Sequence, residues 1–421
     1  MKEKIKEETQ HCQGKKGFLA KLKQIGPGAL VAAAFIGPGT VTTATICGAS
    51  FGYTLLWAML FSIIATMVLQ EMSSRLGVVT RKGIGEALRN QFDSPTLKWM
   101  SIILVISAIG IGCAAYETGN ILGGALGLET ITGISGNIWG PVMGIIAFLF
   151  LWTGSYNIIE KILVGLVGVM SVTFILTAII IRPDIGAILK GFFAPTIPKG
   201  GLMLAVSLIG TTVVPYNLFL HASAVQERWN SAEELSKSRL DTLLSIGLGG
   251  AISSAIIITA AATFKDTGIV PNNAGEMAIQ LEPLLGTWAK WFFGIGLFAA
   301  GFSSSVTSPL AAAYATVEAL GWKNDFKSTK FKLIWGIVLI VGIIGSGLGK
   351  SPVTIILFAQ AANGILLPII ALFLMILMNN EDRLGEYANS KFQNLLGWIV
   401  TAVAFGLGIK SLYSVLQKLI G

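Results

Sequence analysis

The sequence predicts an all-α integral membrane protein of eleven crossings, ten of them in two five-helix halves related as an inverted repeat and the eleventh an addition. Three observations predict this. Of 421 residues, 53% are hydrophobic and only 12% charged, about half the charged share of an ordinary soluble domain. Apolar runs long enough for a hydrocarbon core of about 30 Å, which takes about 20 helical residues, recur along the whole chain. Two of these runs hold a proline at corresponding places, Pro38 and Pro215.

Read against charged and Gly/Pro-rich breaks, the apolar runs place spans at 25–46, 51–75, 99–122, 138–156, 160–181, 201–225, 240–263, 288–318, 332–347, 352–378 and 394–418. The eighth is long enough to tilt or to extend out of the bilayer. Residues 1–24 form a cytoplasmic tail and 25–421 a single transmembrane domain. The tail has seven Lys and no apolar signal-peptide core, so it is expected to stay on the mature protein. Lys15, Lys16, Phe18, Leu19, Lys21 and Leu22 fit either a short amphipathic helix on anionic headgroups or an unstructured basic arm.

Orientation follows from where Lys and Arg collect. The tail, then Arg75, Arg81, Lys82 and Arg89, then Arg228, Lys237 and Arg239, then Lys323, Lys327, Lys330 and Lys332 all fall on one side of an eleven-helix count. The connector at 264–287 carries Asp266, Glu276 and Glu282 but only Lys265. The N-terminus is thus expected in the cytoplasm and the C-terminus outside, in a multi-pass protein of the cell (inner) membrane.

This distribution also accounts for the net charge of +8: the basic residues flank helices and form no aromatic-interleaved face for nucleic acid. Cys12, Cys47 and Cys113 are too few and too scattered for a disulfide framework or a Cys-x-x-Cys site. With no His-Glu-x-x-His, Gly-x-Ser-x-Gly or phosphate loop, an enzyme is not expected. Neither a cofactor nor an obligatory protein partner is indicated beyond membrane lipid.

The chemistry lies at the two interruptions. In Gly37-Pro38-Gly39-Thr40, Pro38 lacks an N–H and clashes with the preceding turn, while the glycines tolerate unusual backbone. Taken alone this reads as a proline kink. In Thr211-Thr212-Val213-Val214-Pro215-Tyr216-Asn217 polar groups flank the proline on both sides. The two prolines stand about 177 residues apart, roughly five helices with their loops. Paired interruptions in corresponding positions point to an inverted-repeat transporter with its site between the breaks, where freed backbone groups line a cavity or bind something.

Gly26–Thr40, Leu76-Gly77-Val78-Val79-Thr80, Ile209 through His221 with Thr211-Thr212-Val213-Val214-Pro215-Tyr216-Asn217 at its centre, Ala299-Ala300-Gly301-Phe302-Ser303-Ser304, and Gln360 eight residues before Pro368 together resemble the Nramp divalent-metal transporters, over about residues 25 to 418. The resemblance implies a LeuT-like fold with helices one and six broken, and transport by alternating access. It also implies an ion site of Gly37, Gly39, Thr40, Thr211, Val214, Tyr216, Asn217 and Gln360. Members that carry manganese and iron have Asp-Pro-Gly-Asn at the first break and Met-Pro-His at the second. Here Gly37 replaces the Asp, Thr40 the Asn, Val214 the Met and Tyr216 the His. Loss of the thioether removes a preference for softer metals, and loss of the carboxylate removes direct anionic coordination. Thr40, Thr211 and Asn217 remain as metal-facing oxygen donors.

Mg²⁺ gives up water reluctantly and keeps several waters when bound, so small neutral replacements that widen the cavity suit a hydrated ion. The pattern is similar to the Nramp-related magnesium transporters, which implies Mg²⁺ as transported substrate, with Mn²⁺ beside it. The alternatives are a proton-coupled Mn²⁺/Fe²⁺ transporter and a LeuT-like carrier of a small organic solute. Glu117 is the candidate acid in mid-span, matching the family's Glu on helix three; its alternative role is a neutral hydrogen-bonded acid. The family's Asp one turn earlier is Ala114, and the ninth span has no internal Arg, so proton coupling is not expected. His221 matches the family's second histidine on helix six and reads either as a gating or protonating group or as a packing residue. Phe302 stands for the family's Gln and either closes or lines the path. Glu71 and Arg75, four apart, fit a helical ion pair or an inner-gate contact. Glu160 is expected at a solvated helix junction.

Overall fold

The computed structural model describes residues 36–153, 157–265, 267–323, 325–349 and 351–420. The tail, Cys12, Gly26-Pro27-Gly28 and most of the first half of the first span lie outside the described residues, as does the side chain of Glu160. Among the described residues the regular structure is helical throughout. The long helices are α1 (Pro38–Phe51), α2 (Leu56–Thr80), α3 (Pro95–Thr132), α4 (Gly136–Thr153), α5 (Asn157–Ile180), α6 (Leu202–Thr212), α7 (Pro215–Arg228), α8 (Leu235–Phe264), α9 (Ala289–Leu320), α10 (Thr329–Ser346), α11 (Pro352–Met378) and α12 (Lys391–Ile420). Among the described residues, ten segments are long and apolar enough to cross a membrane, α6 and α7 together making one. With α1 as the second half of the first span, the arrangement matches the eleven expected crossings.

The boundaries differ from expectation where a charge in the sequence predicts a helix end. α2 runs past Arg75 to Thr80 because Arg75 is buried among partners, not solvated. Its Nη1 donates to Tyr387 O at 2.7 Å and its Nη2 to Glu71 Oε2 at 3.1 Å and Asn389 Oδ1 at 2.7 Å. Glu71 also accepts from Arg239 Nε of α8 at 2.8 Å, so the expected ion pair is one edge of a larger cluster. α3 is the larger surprise, 38 residues long. It continues through Gly123, Gly124 and Gly127 because these glycines are contact points, Gly123 with Pro38 of α1 and Gly124 and Gly127 with α9. A Cβ on Gly301 would lie 2.4 Å from Gly124 N, and one on Gly127 2.4 Å from Gly294 O. In lipid, where packing and not water exclusion joins helices, small residues at the seam allow this approach.

At the basic end, Arg81 of the α2 cap donates to Gln226 O in the last turn of α7 and to Trp229 O just past it, and Arg383 reaches Ala87 O and Asn90 O. The α2–α3, α7–α8 and α11–α12 connectors are therefore tied together. At the opposite end, Trp57 donates to Thr196 O at 2.8 Å. Gln280, fully buried in the connector before α9, donates to Thr45 Oγ1 of α1 at 2.9 Å and accepts from Thr259 Oγ1 of α8 at 3.0 Å.

Candidate substrate site between two interrupted helices

Both interruptions are made the same way. Proline occupies the first helical position of α1 and of α7, where its missing N–H costs nothing and its fixed φ suits the helix. The residue before it is pushed to extended backbone: Gly37 has φ −94 and ψ −179, Val214 φ −84 and ψ 119. α6 stops at Thr212, leaving Val213 and Val214 between the half-helices. The first N–H groups of α1 and α7 and the last carbonyls of α6 have no intrahelical partners. The site thus receives two partly positive helix ends and one partly negative end.

Side chains join the breaks directly. Thr40 Oγ1 and Thr211 Oγ1 are 2.8 Å apart in a buried hydrogen bond. Gln360 of α11 fills the space that Gly39 leaves: a Cβ there would stand 2.1 Å from Gln360 Nε2. A Cβ on Gly210 would meet Gln360 O at 1.9 Å, and one on Gly119 of α3 is 3.8 Å from Nε2. Gln360 therefore sits where α1, α3, α6 and α11 converge. Thr40, Thr211, Asn217, Gln360, Val214 and Tyr216 are all buried, and the expected wide cavity is closed to solvent in this conformation because Gln360 and the threonine pair occupy its centre.

Several of these polar groups have no hydrogen-bond partner among the described residues: both amide atoms of Asn217, both of Gln360, and the Tyr216 hydroxyl. The Tyr216 ring lies 5.6 Å from that of Tyr116 on α3, edge to face at 76°. One residue on, Glu117 is buried, with Asn120 Nδ2 donating to its Oε2 at 3.4 Å and Ser308 of α9 beside it. No group of three His, Cys, Asp or Glu that could hold a metal occurs among the described residues. The donors gathered here are neutral oxygens with one carboxylate nearby.

The structure separates the other two candidates from this centre. His221, one turn along α7, shares a 2.9 Å hydrogen bond with Gln70 Oε1 of α2. Phe302 packs its ring against Phe150 of α4 at 5.8 Å and Phe298 at 5.9 Å, in an aromatic cluster between α4 and α9. Sequence reasoning overlooked Tyr116, Asn120, Ser308 and Asn363. Their common signal is helical spacing of polar residues inside apolar runs: Tyr116 and Asn120 flank Glu117, and Asn363 stands three residues from Gln360 on α11, its Oδ1 2.9 Å from where a Cβ on Gly112 would be.

A multi-pass helical membrane protein in which two interrupted helices face each other across a buried polar centre has the architecture of a carrier working at mid-membrane. The chain belongs to the Nramp family, whose profile, described as natural resistance-associated macrophage protein-like, matches residues 28–414. It is 28% identical over 405 residues to a divalent metal cation transporter MntH of Caldanaerobacter subterraneus subsp. tengcongensis, covering 94% of each chain. With the protein of the same name from Yersinia pestis it shares 28% identity over 94% of this chain and 96% of the relative. Among solved structures, a variant of the Eremococcus coleocola manganese transporter superposes with a TM-score of 0.78 at 20% identity, over 97% of this chain and 90% of that one. MhsT in complex with L-phenylalanine superposes at 0.63, with 16% identity over 92% and 98% of the two chains. The fold is thus shared with LeuT-type carriers.

Proposed function

We propose that this chain imports divalent metal cations by alternating access, Mg²⁺ in a largely hydrated form first and Mn²⁺ second, without coupling to protons. The relatives named as divalent metal cation transporters and the manganese transporter supply the substrate class. The observation that carries the preference within that class is the donor set. Thr40, Thr211, Asn217 and Gln360 present buried, neutral oxygens, and the unpartnered amides of Asn217 and Gln360 are costly unless something completes them, about 1–3 kcal/mol each. Waters held by Mg²⁺ turn their O–H groups outward and need acceptors of this kind, and Mg²⁺ keeps such waters when bound. Val214 and Tyr216 supply neither the thioether nor the imidazole that would favour a softer, dehydrated ion.

Charge balance rests on the negative end of α6 and on Glu117. A proton relay has little to run on: Ala114 lies one turn before Glu117, and the Lys residues of α10 are confined to its first turn. The proposed orientation keeps the basic connectors and N-terminus in the cytoplasm, so an inside-negative potential drives uptake. Purified protein in liposomes with an internal pH dye tests these points together. Mg²⁺ uptake under an inside-negative potential, with Mn²⁺ competing and no internal acidification, is expected. Uptake no greater than in empty vesicles rejects the ion, and acidification that follows the ion rejects uncoupled transport.

A further inference from the structure

One apolar groove at the end opposite the basic connectors plays no part in the site. α5 ends at Ile180, and the chain turns through Arg182 and Pro183 into a short helix, Ile185–Phe193, capped by Asp184, which accepts from Ala187 N at 3.1 Å. Gly191 seats that helix on the backbone of Tyr53. Ile188 and Phe192 turn inward, while Ile185, Leu189 and Phe193 are exposed, as in a helix lying in a membrane interface.

Beside it opens a cleft of about 890 Å³ between α2, α5 and α8, within the range of about 300–1,000 Å³ for small-molecule sites. Leu60, Ile63, Ile175 and Ile179 line it, and the α8 wall is small, with Gly247 and Ala251. Small residues normally let another helix approach, but here α2 and α5 stand far enough apart to leave the hollow facing lipid. One basic side chain, Arg182, lies at its rim. Arg182 is exposed and has φ 49, a left-handed conformation that glycine adopts most easily and that precedes a proline. Backbone demands alone would not choose arginine there. No ion pair reaches it among the described residues, and neighbouring Asp184 is engaged as the helix cap.

We infer that this groove seats an acyl chain of an anionic phospholipid whose phosphate is held by Arg182. The guanidinium fork matches a phosphate in two hydrogen bonds, and the apolar walls match the chain below it. A zwitterionic lipid would fill the hollow but carry its own cation against the guanidinium.

Native mass spectrometry of the full chain, purified in detergent with equimolar phosphatidylglycerol and phosphatidylcholine of the same acyl length, tests the assignment. A several-fold excess of retained phosphatidylglycerol is expected. It should vanish in Arg182→Gly, which removes the guanidinium while suiting φ 49 and so leaves the fold intact, and survive in part in Arg182→Lys. Ala251→Phe, which fills the hollow, should lower retention of both lipids. Inorganic phosphate in excess should not displace the lipid. Equal retention of the two lipids, a preference unchanged in Arg182→Gly, or displacement by free phosphate would overturn the proposal.

Discussion

Two buried polar regions of this molecule are built by opposite rules. Around Arg75 the groups are charged and largely engaged: both terminal guanidinium nitrogens have acceptors, Nε has none among the described residues, and Glu71 takes donors from two helices. Around the interrupted helices the groups are neutral and left over, with Asn217 and Gln360 buried and unmatched among the described residues. A chain that gathers α2, α8 and the segment before α12 around one arginine has the means to pair an amide. The contrast separates a region that holds helices together from one that leaves buried amides over, the feature on which the proposed substrate site rests.

Arg75→Ala would break the first region. It leaves the Tyr387 carbonyl and Asn389 Oδ1 without this donor and Glu71 with Arg239, and a loss of about 1–3 kcal/mol is expected, read as a lower midpoint of thermal unfolding in detergent. Asn217→Leu should do the reverse. Replacing an unmatched amide with an apolar group of similar shape should leave stability within about 1 kcal/mol of the parent, while Mg²⁺ uptake falls about tenfold or more, the equivalent of about 1.4 kcal/mol. Similar loss of stability in both variants would erase the contrast. Thr40→Asp sharpens the second region: the added carboxylate should shift competition toward Mn²⁺ over Mg²⁺ by about tenfold, and unchanged competition would remove Thr40 from the site. Arg239→Gln is the mildest. Its side chain is 43% exposed, so the change should cost about 0.2–1 kcal/mol; a loss matching Arg75→Ala would mean that charge, not burial, sets the strength of the cluster.

The sequence carried the breaks clearly, because Pro38 and Pro215 act through their own covalent geometry and need no distant partner. It carried the crossings nearly as well, since the bilayer sets their length. It did not carry the extent of α2, because Arg75 is made tolerable by Tyr387 and Asn389, more than three hundred positions away. The extent of α3 was hidden for a related reason: glycines that weaken a helix in isolation become its packing surface once α9 lies against them. The candidate site was legible as residue types around two prolines, whereas the placement of Gln360 against Gly39 depends on four helices meeting. His221 and Phe302 carried no local sign of which neighbour each would face.

The length of α3 has a mechanical consequence. At about 1.5 Å per residue its 38 residues reach about 57 Å, nearly twice the hydrocarbon thickness, and ordinary tilts of up to about 40° do not bring that within the hydrocarbon core. One end must stand in the headgroup layer, and exposed Trp99 and Met100 near Pro95 suit that depth. Sliding α3 along the membrane normal would drag the indole out of its preferred layer. With α9 packed against α3 at Gly301, the depth of Glu117 is tied to that of the Trp99 indole.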